Sequence, residues 1–308
     1  MLVRQELFEV LVVLLVRRKN LKVRNFSNLH QIEKIRLVQL VLVQQELFVL
    51  GLLVVQVMVL QAKVEHFLLQ ALLMHQQREE QTVRDIRQHF VDELKNENFT
   101  TDKTGQKTIE ILGANFIADE PSIFGTPNQE YIDAELAWYE MQSTNIYDIH
   151  GEGKEPPAAW KYSADRHGNI NSNYGHLVFS HKYFDQFTCA FNELQQNPDS
   201  RRAQMIYNRP SIWLEFNEGG KSDFICTNAQ TFYIRNGKLH MVSQMRSNDV
   251  VFGYKNDYAW AQYLMDKFVH AWNEMEAIYS KHGEITKGDL TWQVMNLHVY
   301  ERHFNLVK

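Results

Sequence analysis

Only two cysteines, Cys189 and Cys226, occur in the 308 residues, and they form no CxxC pair. That excludes a disulfide framework and a zinc ribbon, and it fits a reducing compartment. The thirteen histidines include no HExxH or other tight ligand spacing, so no metal is expected. Positive charge is not in excess: the formal net charge is -5, and wrapping nucleic acid along a basic face is not expected. Long apolar runs are also missing. The best stretch, Leu47 to Leu60, is about 14 residues and carries Gln56, short of the roughly 20 needed to span a bilayer. The N-terminus shows no signal-peptide h-region with a cleavage site, so neither export nor a membrane partner is expected. A cytoplasmic protein is the reading that these absences leave.

Composition breaks near Met74. Before it the chain is mostly Leu, Val, Gln, Arg and Glu, with no Pro, Thr, Asp, Trp, Tyr or Cys, and "QELF" occurs at residues 5–8 and again at 45–48. Residues 1–74 are expected to be a helical or unstructured extension that adds nothing to chemistry, with Met74 a candidate natural start. From residue 80 to 308 the text is that of a folded enzyme. Helical spacing of Val83, Ile86, Phe90 and Leu94 predicts a helix over 82–98, capped by Thr82 with Asp85 three residues on. Residues 101–113 read as a turn entering a strand, and 128–142 as a second helix capped by Asn128. Pro156, Pro157 and Gly168 make 152–173 a loop. A third helix is expected over 182–198, strands over 203–251, and a last helix from about Tyr258 to Ser280. The fold class is α+β, one mixed sheet packed with helices.

Asn236-Gly237 is a strong hairpin signal, because both central positions of a type I′ turn take positive φ. Walking back along the two arms puts Cys226 beside Arg246, with Ser247 and Asn248 following. A cation next to a thiol favours the reactive thiolate. From spacing alone a reactive and an inert Cys226 both stand. Cys189 falls on the expected apolar side of the third helix, near Phe184 and Phe191, where it reads as inert.

These segments resemble a family. "MRSNDVVFG" (245–253), after a Cys-led strand and an Asn-Gly turn, is similar to the nucleotide-binding signature of the thymidylate synthases. "DKTG" (102–105), "ELAW" (135–138), "INSNYG" (170–175), "DSRR" (199–202) and "LHVYERH" (297–303) follow the family's order over roughly residues 80–308. Within that superfamily the resemblance is to the deoxycytidylate hydroxymethylase branch of T-even-type phages. The fourth residue after Gly253, an Asn that reads uracil in the synthases, is Asp257 here. A carboxylate accepts from the cytosine amino group and favours a proton on N3, whereas an amide answers uracil. The alternative reading of Asp257 is an N-cap of the following helix.

The resemblance implies the roles. Cys226 is the nucleophile that adds to C6, making C5 an enamine carbon. 5,10-Methylenetetrahydrofolate is the cosubstrate, water is added to the exocyclic methylene, and Glu135 orders that water and moves its proton. Lys103, Arg246, Ser247, Arg201 and Arg202 bind phosphate, the arginine pair reaching across a homodimer. His298 and Tyr300 hold the sugar hydroxyl, Asn256 belongs with Asp257 to the substrate set, and Asp249 and Tyr174 touch folate or order water. Three departures stand out: Lys103 where the family has Arg, Thr231 where the synthases have Gln, and an end at Lys308 ahead of the family's closing C-terminal segment. The reaction implied is hydroxymethylation of dCMP, with dUMP or CMP use, or non-catalytic nucleotide binding, as alternatives.

Overall fold

The computed structural model describes residues 35–36, 39–40, 42–43, 56–65, 81–101, 103, 105–151 and 154–308. The chain divides into two units, Met1–Glu79 and Glu80–Lys308. In the first, the described residues are helical and exposed, with Gln61 donating to Glu65 at 3.1 Å. The "QELF" echo lies outside the described residues. No described helix is long and apolar enough to cross a membrane.

The second unit opens with α1 (Val83–Lys95), whose Val83, Ile86 and Phe90 are buried. The expected cap forms as a capping box, Asp85 receiving both the backbone N–H and the hydroxyl of Thr82. Strands β1 (Thr100–Thr101) and β2 (Lys107–Ile117) follow, then α2 (Gln129–Glu140) with its Asn128 cap accepting from the Tyr131 amide. Three short helices come next in the described chain: α3 (Ala158–Ser163), α4 (Tyr174–Phe179) and, after α5 (Gln186–Gln196) and β3 (Gln204–Ile206), α6 (Ile212–Glu215). The hairpin β4 (Thr227–Arg235) and β5 (Lys238–Met245) leads to β6 (Asn248–Asp249), α7 (Gly253–Tyr279) and β7 (Thr286–Tyr300).

Asn236 and Gly237 take φ of 53° and 70°, the turn that the dipeptide predicts. The sheet runs β1-β2-β7-β5-β4-β3, with β6 extending the β5 side of β7. β5 and β7 are parallel, and α7 is the crossover between them. Its stripe of Trp260, Leu264, Phe268 and Trp272 lies fully in the core, each such side chain contributing about 1.5–3 kcal/mol of burial. The alternate residues of the same strands, Val242 and Gln244 on β5 and Gln293 on β7, are only half-buried, and Met295 is 52% exposed. The sheet therefore has one covered face and one open, mixed face.

Four local expectations change. The third helix starts at Gln186, because Phe184 and Asp185 turn left-handed at φ 69° and 43° and Asp185 then caps it. Its buried face is Phe187, Ala190 and Leu194, which leaves Cys189 exposed rather than apolar-packed. The 152–173 loop contains α3. The last helix begins at Gly253, so Asp257 lies inside its second turn and caps nothing.

Candidate active site

A cavity of about 650 Å³ opens beside the start of β4, lined by Trp160, Tyr174, Trp213, Asp223, Cys226 and Arg246 among others. The hairpin register carries Cys226 to Arg246, whose backbone N–H donates to the Cys226 carbonyl at 2.8 Å. The guanidinium donates to the carbonyls of Ile225 and Phe224 at 3.0 and 2.5 Å, and approaches Cys226 Sγ at 3.5 Å. It also lies over the Phe224 ring, 5.0 Å from the centroid.

The cation is thus where the sequence places it, but the thiolate is not its result. Burial pushes the Cys226 thiol up to about 11, and the Asp257 and Asp223 carboxylates add to that. One guanidinium, already shared with two carbonyls, does not offset the lost hydration.

Glu135, on α2, is 4% exposed. Tyr131, one turn earlier, donates to its Oε1 at 2.6 Å, and the Trp160 indole donates to the same oxygen at 3.2 Å and to Tyr131 Oη at 2.9 Å. No described residue bonds Oε2. Burial raises Glu135 to about 7, against those two donors. One oxygen is held and the other is free to meet water, at a proton affinity suited to transfer near neutral pH.

Asp257 accepts at Oδ2 from Asn248 Nδ2 at 2.7 Å. Asn248 is held in turn by Trp292, whose Nε1 donates to Asn248 Oδ1 at 3.3 Å. The Tyr174 hydroxyl lies near the Asp257 carboxyl, favouring its charged form, and accepts from Thr227 Oγ1 at 2.9 Å. That hydroxyl stands between Asp257 and the residue after Cys226. Burial first, and then the Glu135 charge, raise Asp257 to about 8. Two glycines make room. A Cβ on Gly175 would fall 1.7 Å from the Tyr139 carbonyl oxygen, so α4 can press on α2 and aim Tyr174 only with glycine there. A Cβ on Gly253 would sit 3.1 Å from Asn248 Nδ2 and 3.8 Å from Asp257 Oδ2.

Asp249 Oδ1 caps Val251 and Phe252, while Oδ2 is buried without a described partner. That orphaned acceptor fits a ligand carrying N–H donors, such as a pterin. Asp249 is in register with His298 across β6 and β7, and the His298 and Tyr300 rings stand 4.9 Å apart. Burial lowers His298. Ser247 and Asn256 are half-buried, with no side-chain hydrogen bond to a described residue.

The remaining basic residues are not gathered here. Lys103 and Arg201 are exposed, and Arg202 pairs with Glu193 at 2.9 Å. None contacts Arg246 or Cys226 among the described residues. Thr231 bonds Gln204 on β3. No described group of three or more His, Cys, Asp or Glu side chains converges as metal ligands.

Sequence reasoning missed Tyr131, Trp160 and Asp223, and it placed Asn248 near Cys226 without a role. The i, i+4 spacing of Tyr131 and Glu135 on one helix face was a usable signal. Trp160 comes from a loop and gave none. Asp223 is 5% exposed and receives the Asn171 and Ser172 amides at 2.5 and 2.8 Å, tying two loops at the cavity wall.

The chain is 49% identical over 226 residues to the deoxycytidylate 5-hydroxymethyltransferases of Enterobacteria phages T4 and T2, covering 73% of this chain and 89% of each relative. A thermostable thymidylate synthase A from Bacillus subtilis shares the fold, with a TM-score of 0.53 and 19% identity, over 71% of this chain and 81% of that one. The family model described as thymidylate synthase matches residues 85–308, and with the phage relatives it shows that the chain belongs to the thymidylate synthase family.

Proposed function

We propose that the chain transfers a one-carbon unit from 5,10-methylenetetrahydrofolate to C5 of dCMP and adds water, giving 5-hydroxymethyl-dCMP and tetrahydrofolate. The observation that supports this reading most is the half-buried acid Asp257, held by Asn248 and standing beside Tyr174, which bonds Thr227 next to Cys226. The name and 49% identity of the phage relatives point the same way.

Cys226 forms a bond to C6 as its sulfur proton passes to solvent in the cavity, and once C5 has bonded the incoming carbon the hydrogen of C5 leaves as a proton. Arg246 fixes where that sulfur stands. Asp257 faces the amino edge of the ring and supplies hydrogen bonds there as charge builds on the base. The folate supplies the carbon at the methylene level of oxidation. Glu135, with Oε1 held by Tyr131 and Trp160, uses Oε2 to position the water and takes its proton as the new C–O bond forms. Cys226 then departs and the ring regains its double bond.

Asp249 Oδ2 and Tyr174 are the residues of this chain that would face the folate. His298 and Tyr300 would hold the sugar hydroxyl, with Ser247 and Asn256 completing the substrate set. Arg246 meets the phosphate, joined by Lys103 and by Arg201 and Arg202 of a second copy. The open sheet face, with Val242, Gln244 and Met295, is where two copies would pair. Such an enzyme, carried by a phage, works in the host cytoplasm.

Steady-state assays with dCMP, dUMP and CMP test the reading. A preference for dCMP of tenfold or more over dUMP is expected, since an unpaired buried acceptor costs about 1–3 kcal/mol. Equal rates on all three overturn the role of Asp257. Absence of folate-dependent tritium release from [5-³H]dCMP by an intact dimer leaves a nucleotide-binding protein instead.

A further inference from the structure

Asp257 alone does not choose between the two bases. Burial raises it to about 8, so at neutral pH it is mostly the neutral acid. A neutral carboxyl has one carbonyl oxygen and one hydroxyl, an acceptor and a donor side by side. Cytosine needs the acceptor opposite its N4 amino group and the donor opposite N3. Uracil needs the donor opposite O4 and the acceptor opposite N3–H. Moving the proton from one oxygen of Asp257 to the other converts one pattern into the other. Something must fix which oxygen carries it.

We propose that Asn248, pinned by Trp292, is the positioning residue that sets this choice: its amide marks Oδ2 of Asp257 as the acceptor and leaves the acid proton on Oδ1. The inference rests on the proposed role of Asp257 as reader of the base. Three observations support it. The Trp292 indole N–H donates only, so the end of Asn248 facing it, at 3.3 Å, is the carbonyl, and the NH₂ must face Asp257 at 2.7 Å. Both partners are rigid: Trp292 is 0% and Asn248 4% exposed. Gly253 leaves the space in which that bond forms, since a Cβ there would crowd Asn248 Nδ2 at 3.1 Å. The Tyr174 hydroxyl, the other neighbour of the carboxyl, is engaged by Thr227 Oγ1 at 2.9 Å and is not fixed on either oxygen. The pinned amide has no such freedom.

The test is the ratio of kcat/KM for dCMP to that for dUMP in wild type, Asn248→Ala, Trp292→Phe and Asp257→Asn. Loss of the mark costs the tautomer preference of about one hydrogen bond, so Asn248→Ala is expected to lower the ratio by about tenfold. Trp292→Phe, which frees the amide to turn over, is expected to lower it severalfold, and it serves as the reading if the alanine variant does not fold by circular dichroism. Asp257→Asn is expected to invert the ratio. If both substrates decline in parallel in Asn248→Ala and Trp292→Phe while Asp257→Asn inverts the ratio, Asn248 is structural only and the proposal is overturned. If Asp257→Asn keeps the wild-type ratio, the base-reading role itself fails and takes this inference with it.

Discussion

The two ends of the candidate site are built in opposite ways. At the base end, Glu135 is held by Tyr131 and the half-buried Trp160, and Asp257 by Asn248, which is pinned by the core residue Trp292. At the phosphate end, Lys103 and Arg201 are exposed, and Arg202 shares an ion pair whose own side chain is 79% exposed. An exposed pair of that kind is worth about 0–1 kcal/mol, so in the proposed role Arg202 would exchange Glu193 for a phosphate at little cost. Recognition of the base needs groups that cannot yield, because its information lies in the direction of two hydrogen bonds. Capture of a phosphate needs charge alone, which mobile cations and a second subunit can bring.

The comparison is broken most severely by removing the sulfur. Cys226→Ser should lower kcat by roughly 10⁴-fold or more while dCMP still binds, as equilibrium titration would show. Glu135→Gln comes next, with a loss of about 10²–10⁴-fold in product formation, because its free oxygen no longer takes a proton. The pH profile sharpens this. Glu135 as a base is needed ionised, above about 7, and Asp257 is needed protonated, below about 8, so kcat/KM should be bell-shaped and narrow around that interval. Glu135→Gln should abolish the acid limb.

At the phosphate end, Arg201→Ala or Arg202→Ala should raise KM for dCMP by about tenfold or more at each site. Mixing Arg202→Ala with Cys226→Ser should produce a population of sites with wild-type KM, which neither variant has alone, if each site takes its arginines from the other copy. Additive, unrescued losses would place those arginines in their own subunit. The smallest effect is on stability. Folding raises Glu135 from 4.5 to about 7 and Asp257 from 3.8 to about 8, so the folded state keeps protons that the unfolded chain sheds. The contribution of these two groups to stability is therefore full below about pH 4 and erodes as pH rises through 8. Asp257→Asn should recover on the order of 1–3 kcal/mol at pH 8.5 by thermal unfolding.

Much of this was legible in the residues, and the limits have physical causes. The hairpin and both helix caps are local devices, and Asn236-Gly237, Thr82 with Asp85, and Asn128 all form as read. The meeting of Cys226 with Arg246 follows from counting along two paired arms. The protonation of Cys226 does not, since it depends on how much water the fold removes. The start of α7 was misplaced because Gly253 is a poor helix former, and tertiary packing of Tyr254 extends the helix backward. Cys189 was misassigned because the reversal at Phe184 and Asp185 turns the helix to bury another face. Trp160 meets Glu135 across 25 positions of sequence, beyond any periodic pattern.

Gly253 leaves evolution an unusual handle on which genetic letter is altered. The position carries no side chain, yet its emptiness decides whether a neighbouring amide keeps its bearing. A single added methyl there would retune substrate preference from behind the wall, without changing any group that meets the nucleotide.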